Sequence, residues 1–198
     1  MAAAARRDEE YLGRLRDHFA ANRRIPSLQH IAALMGFASK AAASKLMQRL
    51  ANEGFVERAP DAAAWIPGPR FFELPLVVER VRAGAPEMIE ATSAQPFLVD
   101  QFLVRRPAAA LLMPVRGDSM IEAGIHDGDL VVVERGKSAN VGDFVIAIVD
   151  GEMTLKELAR ERGRYVLRPH NAAFRVIRPR QHLEIFGVVV ALMRRYGS

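Results

Sequence analysis

The chain contains no cysteine in 198 residues. That excludes disulfides, a thiol nucleophile and thiolate metal sites, and it fits a reducing cytoplasmic setting. Long apolar runs are also missing. Runs such as Leu111–Val115 and Phe186–Met193 have strand length, well short of the roughly 18 residues a membrane span requires. The N-terminus shows no basic flank leading into an apolar core, so no secretion signal and no membrane association are expected. The five histidines (His18, His30, His126, His170, His182) are scattered, with no spacing for a triad or a metal site, and nothing implies a cofactor. Lysine is scarce: of 28 basic residues only Lys40, Lys45, Lys137 and Lys156 are lysine. Where any cation serves, this chain carries arginine, which does not release its proton in a protein, whereas a desolvated lysine does. A lysine kept in a core-like segment is therefore a candidate general base.

Half of the residues are apolar and about a quarter charged, the balance of an ordinary globular protein of one domain or two small ones. The net charge of +5 is uneven: residues 1–70 hold 11 basic against 7 acidic residues, and residues 71–198 hold 17 against 16. A basic first third beside a near-neutral remainder points to an acidic partner, such as nucleic acid, for the first part only.

Helical periodicity runs through residues 8–22, with Leu12, Leu15 and Phe19 on one face. Ser27 is a good N-cap for a second helix, Leu28–Met35, ended by Gly36. Ser39 caps a third helix reaching about Asn52, with Ala43, Leu46, Met47 and Leu50 inward and Gly54 as terminator. Two short apolar runs, Phe55-Val56 and Trp65-Ile66, flank a turn containing Pro60 and Asp61. Three helices and a hairpin predict an α+β winged helix-turn-helix over residues 1–67. In such folds the start of the third helix enters the major groove. Lys40 and Lys45 are then candidates for phosphate or guanine, Ser39 and Ser44 for base or phosphate hydrogen bonds, and Ala41 and Ala42 for a thymine methyl. The wing tip carries little charge, so a modest wing contribution is expected.

Pro67, Gly68, Pro69 and Pro75 mark a stiff linker over residues 68–75. From residue 76 to 198 the period changes to short β-rich runs punctuated by Gly, Asp, Pro and Asn: Leu76–Val81, Phe102–Val104, Leu111–Val115, Leu130–Val133, Phe144–Val149, Thr154–Leu158, Tyr165–Arg168 and Phe186–Met193. A mostly-β second domain is expected. Ser119 follows one of these strands in the turn Gly117-Asp118-Ser119-Met120, and Lys156 lies in another, 37 residues on. A serine in a Gly-flanked turn is a candidate nucleophile for a desolvated lysine base. The backbone N–H groups of Asp118 and Ser119 are candidates for stabilising an oxyanion. A plain turn and a solvent-facing lysine are the alternative that spacing alone leaves open.

Four segments together carry a resemblance: Val115-Arg116-Gly117-Asp118-Ser119-Met120, Gly124–Val131, Thr154-Leu155-Lys156-Glu157-Leu158 and Leu167-Arg168-Pro169-His170-Asn171. They resemble the S24-type self-cleaving domain of LexA repressors, shared by UmuD-type mutagenesis proteins and phage repressors. Residues 8–67, including Ile31-Ala32 and Gly36-Phe37, resemble the LexA winged helix. The resemblance implies a two-domain protein whose second domain is a mostly-β LexA/signal-peptidase-like fold. It implies a Ser119/Lys156 dyad, and a scissile bond in the same chain at Ala83-Gly84, where small residues let the backbone approach Ser119 closely. It further implies binding to operator DNA as a homodimer, with Phe186–Met193 in the dimer interface. Self-cleavage stimulated by RecA filaments on single-stranded DNA would then relieve repression of DNA-damage (SOS) genes. The third helix lacks the asparagine often used for base reading in LexA proteins, which leaves open a specialised LexA-like paralogue or a UmuD-like regulator with another operator or partner. A UmuD-type protein would lack residues 8–67, and a signal peptidase would need a membrane anchor.

Overall fold

A computed structural model of the protein describes residues 2–60, 62–77, 94–179 and 182–196. The chain forms two compact units, residues 1–99 and 100–198. The Ala83-Gly84 pair lies outside the described residues.

The first unit is built on three helices: α1 (Ala2–Asn22), α2 (Leu28–Met35) and α3 (Lys40–Asn52). The alanine-rich start carries α1 further toward the N-terminus than its apolar period predicts, because alanine has the highest intrinsic helix propensity. Ser27 and Ser39 cap the next two helices, their Oγ atoms accepting from the amides of His30 (3.4 Å) and Ala42 (3.3 Å). Gly36 closes α2 at φ 73°, letting the Phe37 amide reach back to the Ala32 carbonyl at 2.8 Å. Leu12, Leu15, Ile31, Ala43, Leu46, Met47 and Leu50 fill a single core.

The wing pairs β1 (Val56–Arg58) with β2 (Trp65–Pro67) in antiparallel register. Trp65 is 6% exposed, with the Arg58 guanidinium 4.1 Å from its ring centroid and its indole Nε1 without a hydrogen-bond partner among the described residues. The core does not stop at residue 67. Phe71, inside the expected linker, is fully buried among the helices, and its carbonyl accepts from Arg16 Nε at 2.6 Å. Apolar burial outweighs the local stiffness signalled by the prolines.

Gly68 sets how closely this tail passes the end of α3. Its amide donates to the Phe55 carbonyl at 2.9 Å, and an added Cβ would sit 2.5 Å from the Gly54 carbonyl oxygen. Because that neighbour is backbone, Gly68→Ala is expected to destabilise the first unit by about 1–3 kcal/mol. Denaturant titration followed through Trp65 measures this, and an unchanged midpoint would refute the close approach.

Beyond the wing, β3 (Leu74–Val77) pairs antiparallel with β4 (Ala94–Phe97), a strand the sequence pattern does not signal. A second expectation also fails. Phe102–Val104, read as a strand, falls in and just after a short helix, α4 (Val99–Leu103), with the Val104 amide bonded to the Asp100 carbonyl at 2.8 Å. Three apolar residues are too few for period to separate strand from helix.

The second unit holds a six-stranded antiparallel sheet in the order β5-β6-β10-β7-β8-β9. The strands are β5 (Ala110–Pro114), β6 (Leu130–Glu134), β7 (Phe144–Val149), β8 (Glu152–Glu161), β9 (Arg164–Arg168) and β10 (Leu183–Met193). Side-chain alternation splits the core into two layers. Val131, Val133 and Ile146 join Val115, Met120 and Ile125 on one face, while Val145, Ala147, Leu158, Leu167 and Val188 fill the other. The apolar run of β10 follows from its interior place between β6 and β7. Gly187 lets β10 pass β6, since a Cβ there would lie 2.6 Å from Val133 Cγ1.

Candidate active site

The turn bearing Ser119 starts where β5 runs out. The Val115 amide bonds the Asp129 carbonyl (2.8 Å), Gly117 turns the chain at φ 85°, and its amide is held by Asp127 Oδ1 at 2.7 Å. Met120 is buried in the core at 2% exposure and anchors the turn from below. The loop after β9 clasps it from the side. The His170 amide donates to the Ser119 carbonyl (2.8 Å), and Asn171 Nδ2 donates to the Asp118 carbonyl (2.9 Å). His170 is itself held by Glu157 across 2.6 Å. With both carbonyls engaged, the turn has little freedom to rotate. The amides of Asp118, Ser119 and Met120 donate to no described residue.

Lys156 sits in the middle of β8, opposite Val145 of β7, and is 6% exposed. Its Nζ lies 2.7 Å from Ser119 Oγ, 2.8 Å from the Leu155 carbonyl and 3.0 Å from Thr154 Oγ1. Among the described residues no carboxylate pairs with it. Burial pushes its pKa below the ordinary 10.5 with nothing to pull it back. As an ammonium, Nζ donates to all three oxygens; once it loses a proton, two N–H groups can stay on Thr154 and Leu155 with the lone pair turned to the Ser119 hydroxyl. Thr154 and the Leu155 carbonyl thus orient the amine, a function that residue spacing does not announce.

Ser119 and Lys156 line a cleft of about 260 Å³ whose other walls include Met113, Val131, Ile146 and Met153. The lining is mixed, with Arg116 and Thr154 joining Ser119 and Lys156 among these apolar side chains. Among the described residues, no group of three or more acidic or histidine side chains is placed to hold a metal ion. No described helix is long and apolar enough to cross a membrane.

The far end of the Ser119 loop is stapled by a residue from just past β10. Arg194 reaches both oxygens of Asp129 at 2.6 Å and the Gly124 carbonyl at 2.8 Å. Asp129 is 1% exposed, and its carboxyl is held down to about 2, first by the Arg194 hydrogen bonds and further by the His126 amide. A lowered carboxylate contributes stability above its ordinary pKa of 3.8, and that contribution is lost as pH falls through about 2. Arg194→Ala is therefore expected to move the midpoint of acid unfolding to higher pH, toward the usual carboxylate range. An acid titration followed by circular dichroism tests this, and coincident curves for parent and variant would argue against the staple.

On the first unit, the start of α3 presents Ser39, Lys40, Ala41 and Lys45 to solvent, with Ala42 and Ser44 half-buried and Ala43 fully buried. The Ser39 oxygen accepts the capping amide of Ala42, which leaves its O–H and one lone pair for an outside partner. Lys45 adjoins Arg49, which is tied bidentately to Asp8 at 2.6 and 2.7 Å. Gln48, exposed one turn beyond Ser44, shares the helix without having been singled out by its residue type.

Known families match both units. Residues 1–64 match the LexA DNA binding domain and residues 75–190 match the Peptidase S24-like domain. A "LexA repressor 2" of Pseudomonas putida is 39% identical over 189 residues, covering 91% of this chain and 93% of that protein. A "LexA repressor" of Opitutus terrae is 39% identical over 179 residues, covering 86% and 87%. A "LexA repressor 1" of Xanthomonas oryzae is 43% identical over 155 residues, covering 75% and 76%.

Proposed function

Since the chain belongs to the LexA repressor family, we propose that it represses DNA-damage (SOS) genes as an operator-bound homodimer and is inactivated by cutting its own chain between Ala83 and Gly84. The observation that carries this reading is the 2.7 Å approach of a buried, carboxylate-free Lys156 amine to the Ser119 hydroxyl. Neutral Lys156 takes the Ser119 proton, and Oγ attacks the Ala83 carbonyl carbon. The developing oxyanion is held by the amides of Asp118 and Ser119, which have no competing acceptor among the described residues. The tetrahedral intermediate collapses, the C–N bond breaks, and the Lys156 ammonium returns its proton to the Gly84 amine. Water, deprotonated by the same lysine, then releases the Ala83 carboxylate and restores Ser119.

Cleavage parts the DNA-reading α3 from the S24-like domain. The repressor then loses the gain in affinity that two linked half-site contacts provide. Ser39, Lys40, Ala41, Ala42, Ser44 and Lys45 are the proposed operator-facing residues, and the second domain is the proposed dimerisation module. A filament of RecA on single-stranded DNA is the proposed trigger. A UmuD-like role leaves the winged helix without a purpose. Incubating the purified chain with activated RecA and sizing the products tests the reading. Fragments of 83 and 115 residues are expected; a chain that stays intact there and at alkaline pH refutes self-cleavage.

A further inference from the structure

The near-neutral charge of residues 71–198 hides a sharp separation. Residues 158–179 alone hold six arginines (Arg160, Arg162, Arg164, Arg168, Arg175, Arg178) against one acid, Glu161. The remainder of 71–198 then has 11 basic against 15 acidic residues. A domain that looks uncharged on average carries a strongly cationic end.

Four of the six arginines sit on one rigid element, the hairpin of β8 and β9; Arg168 at its far end is paired with Glu157 at 3.7 Å, which leaves Arg160, Arg162 and Arg164 at the tip. Its turn is Arg162-Gly163, both at positive φ (47° and 82°), the backbone of a tight two-residue hairpin turn. Register places Arg160 opposite Tyr165 and Glu161 opposite Arg164, so cations appear on both faces and at the apex. Glu161 is already neutralised by Arg178 at 2.8 Å. Arg160 is fixed by the Gly163 carbonyl at 3.1 Å and lies 5.9 Å from the Tyr165 ring centroid. Arg162 and Arg164 have no partner among the described residues. Tyr165 is 54% exposed, although the strand residues that follow it, Val166 and Leu167, are buried. Unneutralised like charges held together destabilise the free protein, so the arrangement asks for an anionic partner. Arginine forks rather than lysine points suit phosphate, and an exposed ring beside them suits an unstacked base.

We infer that the β8–β9 hairpin tip is a second nucleic-acid contact, separate from the operator-reading helix, which grips the backbone of single-stranded DNA through Arg160, Arg162 and Arg164 with a base on Tyr165. It is independent of the Ser119/Lys156 chemistry and uses none of its residues.

The test measures binding of the full-length chain to a fluorescent oligothymidylate as a function of salt, beside a non-operator duplex of equal length. The parent binds the single strand. Arg160→Gln/Arg162→Gln/Arg164→Gln binds it at least about tenfold more weakly at low salt, and its log–log salt slope is shallower by about two, at roughly 0.7 per phosphate contact. Lys40→Ala/Lys45→Ala retains the strand binding. Unchanged thermal melting and an unchanged alkaline self-cleavage rate show that the triple variant is folded; should it fail to fold, Arg162→Gln at the solvent apex still lowers the slope by about 0.7. Three outcomes overturn the inference: equal strand binding by parent and variant, a loss confined to the duplex, or intact strand binding with loss only of RecA-stimulated cleavage, which would give the patch to a protein.

Discussion

A Lys156→Ala chain is expected to cut itself at alkaline pH about a hundred- to ten-thousandfold more slowly, and Ser119→Ala not at all. General-base catalysis contributes about 10²–10⁴, and deleting the nucleophile removes the covalent route altogether. The more telling variant is Lys156→Arg. It keeps the charge and the long side chain, yet guanidinium does not deprotonate in a protein and cannot accept the Ser119 proton. It is expected to be as inactive as alanine. Were Lys156 present only to balance charge or pack against Ser119, arginine would rescue much of the rate. Gel densitometry of the shrinking full-length band decides between the two, and substantial cutting by Lys156→Arg would end the general-base assignment.

The second large effect is on pH. Burial lowers the Lys156 pKa from 10.5, so the neutral fraction at a given pH exceeds that of a free lysine, but below the shifted value the ammonium still dominates. The first-order cleavage rate should then climb about tenfold per pH unit and level off at the folded-state pKa, below 10.5. The same shift links to stability with a definite sign. Between the folded pKa and 10.5 the unfolded chain binds more protons than the folded one. Stability gains from this residue as pH rises across that window and loses it as pH falls. A rate that is flat with pH through the alkaline range, in a chain that remains folded, would show that a lysine proton is not the one being moved.

Much of the first unit could be read from residue types because its signals are local. Ser27, Gly36, Ser39 and Gly54 act within one turn of themselves, and each sits where its type predicts. What escaped depends on distant partners. Phe71 lies in a proline-flanked stretch whose local chemistry says linker, and only the helices over it make it core. Pro96 obscures β4, and its antiparallel partner there is another proline, Pro75, so neither donates to the ladder at that register position. In the site, lysine scarcity and a Gly-flanked serine single out the two residues that the fold brings to 2.7 Å. The parts that aim them are not legible. Asn171 reaches Asp118 across 53 residues and Arg194 reaches Asp129 across 65, and neither separation leaves a trace in a pattern read along the chain.

Trp65 gives this two-unit chain a built-in spectroscopic label. It is the sole tryptophan, and it sits in the helical core with a guanidinium over its ring. Selectively excited indole emission therefore originates in the first unit alone and is blind to the six-stranded sheet. Melting of the winged helix can be followed in the intact protein, or after the chain has been cut, without separating the pieces. Comparison with a far-ultraviolet signal, which sees both units, would show how much cooperativity passes between them.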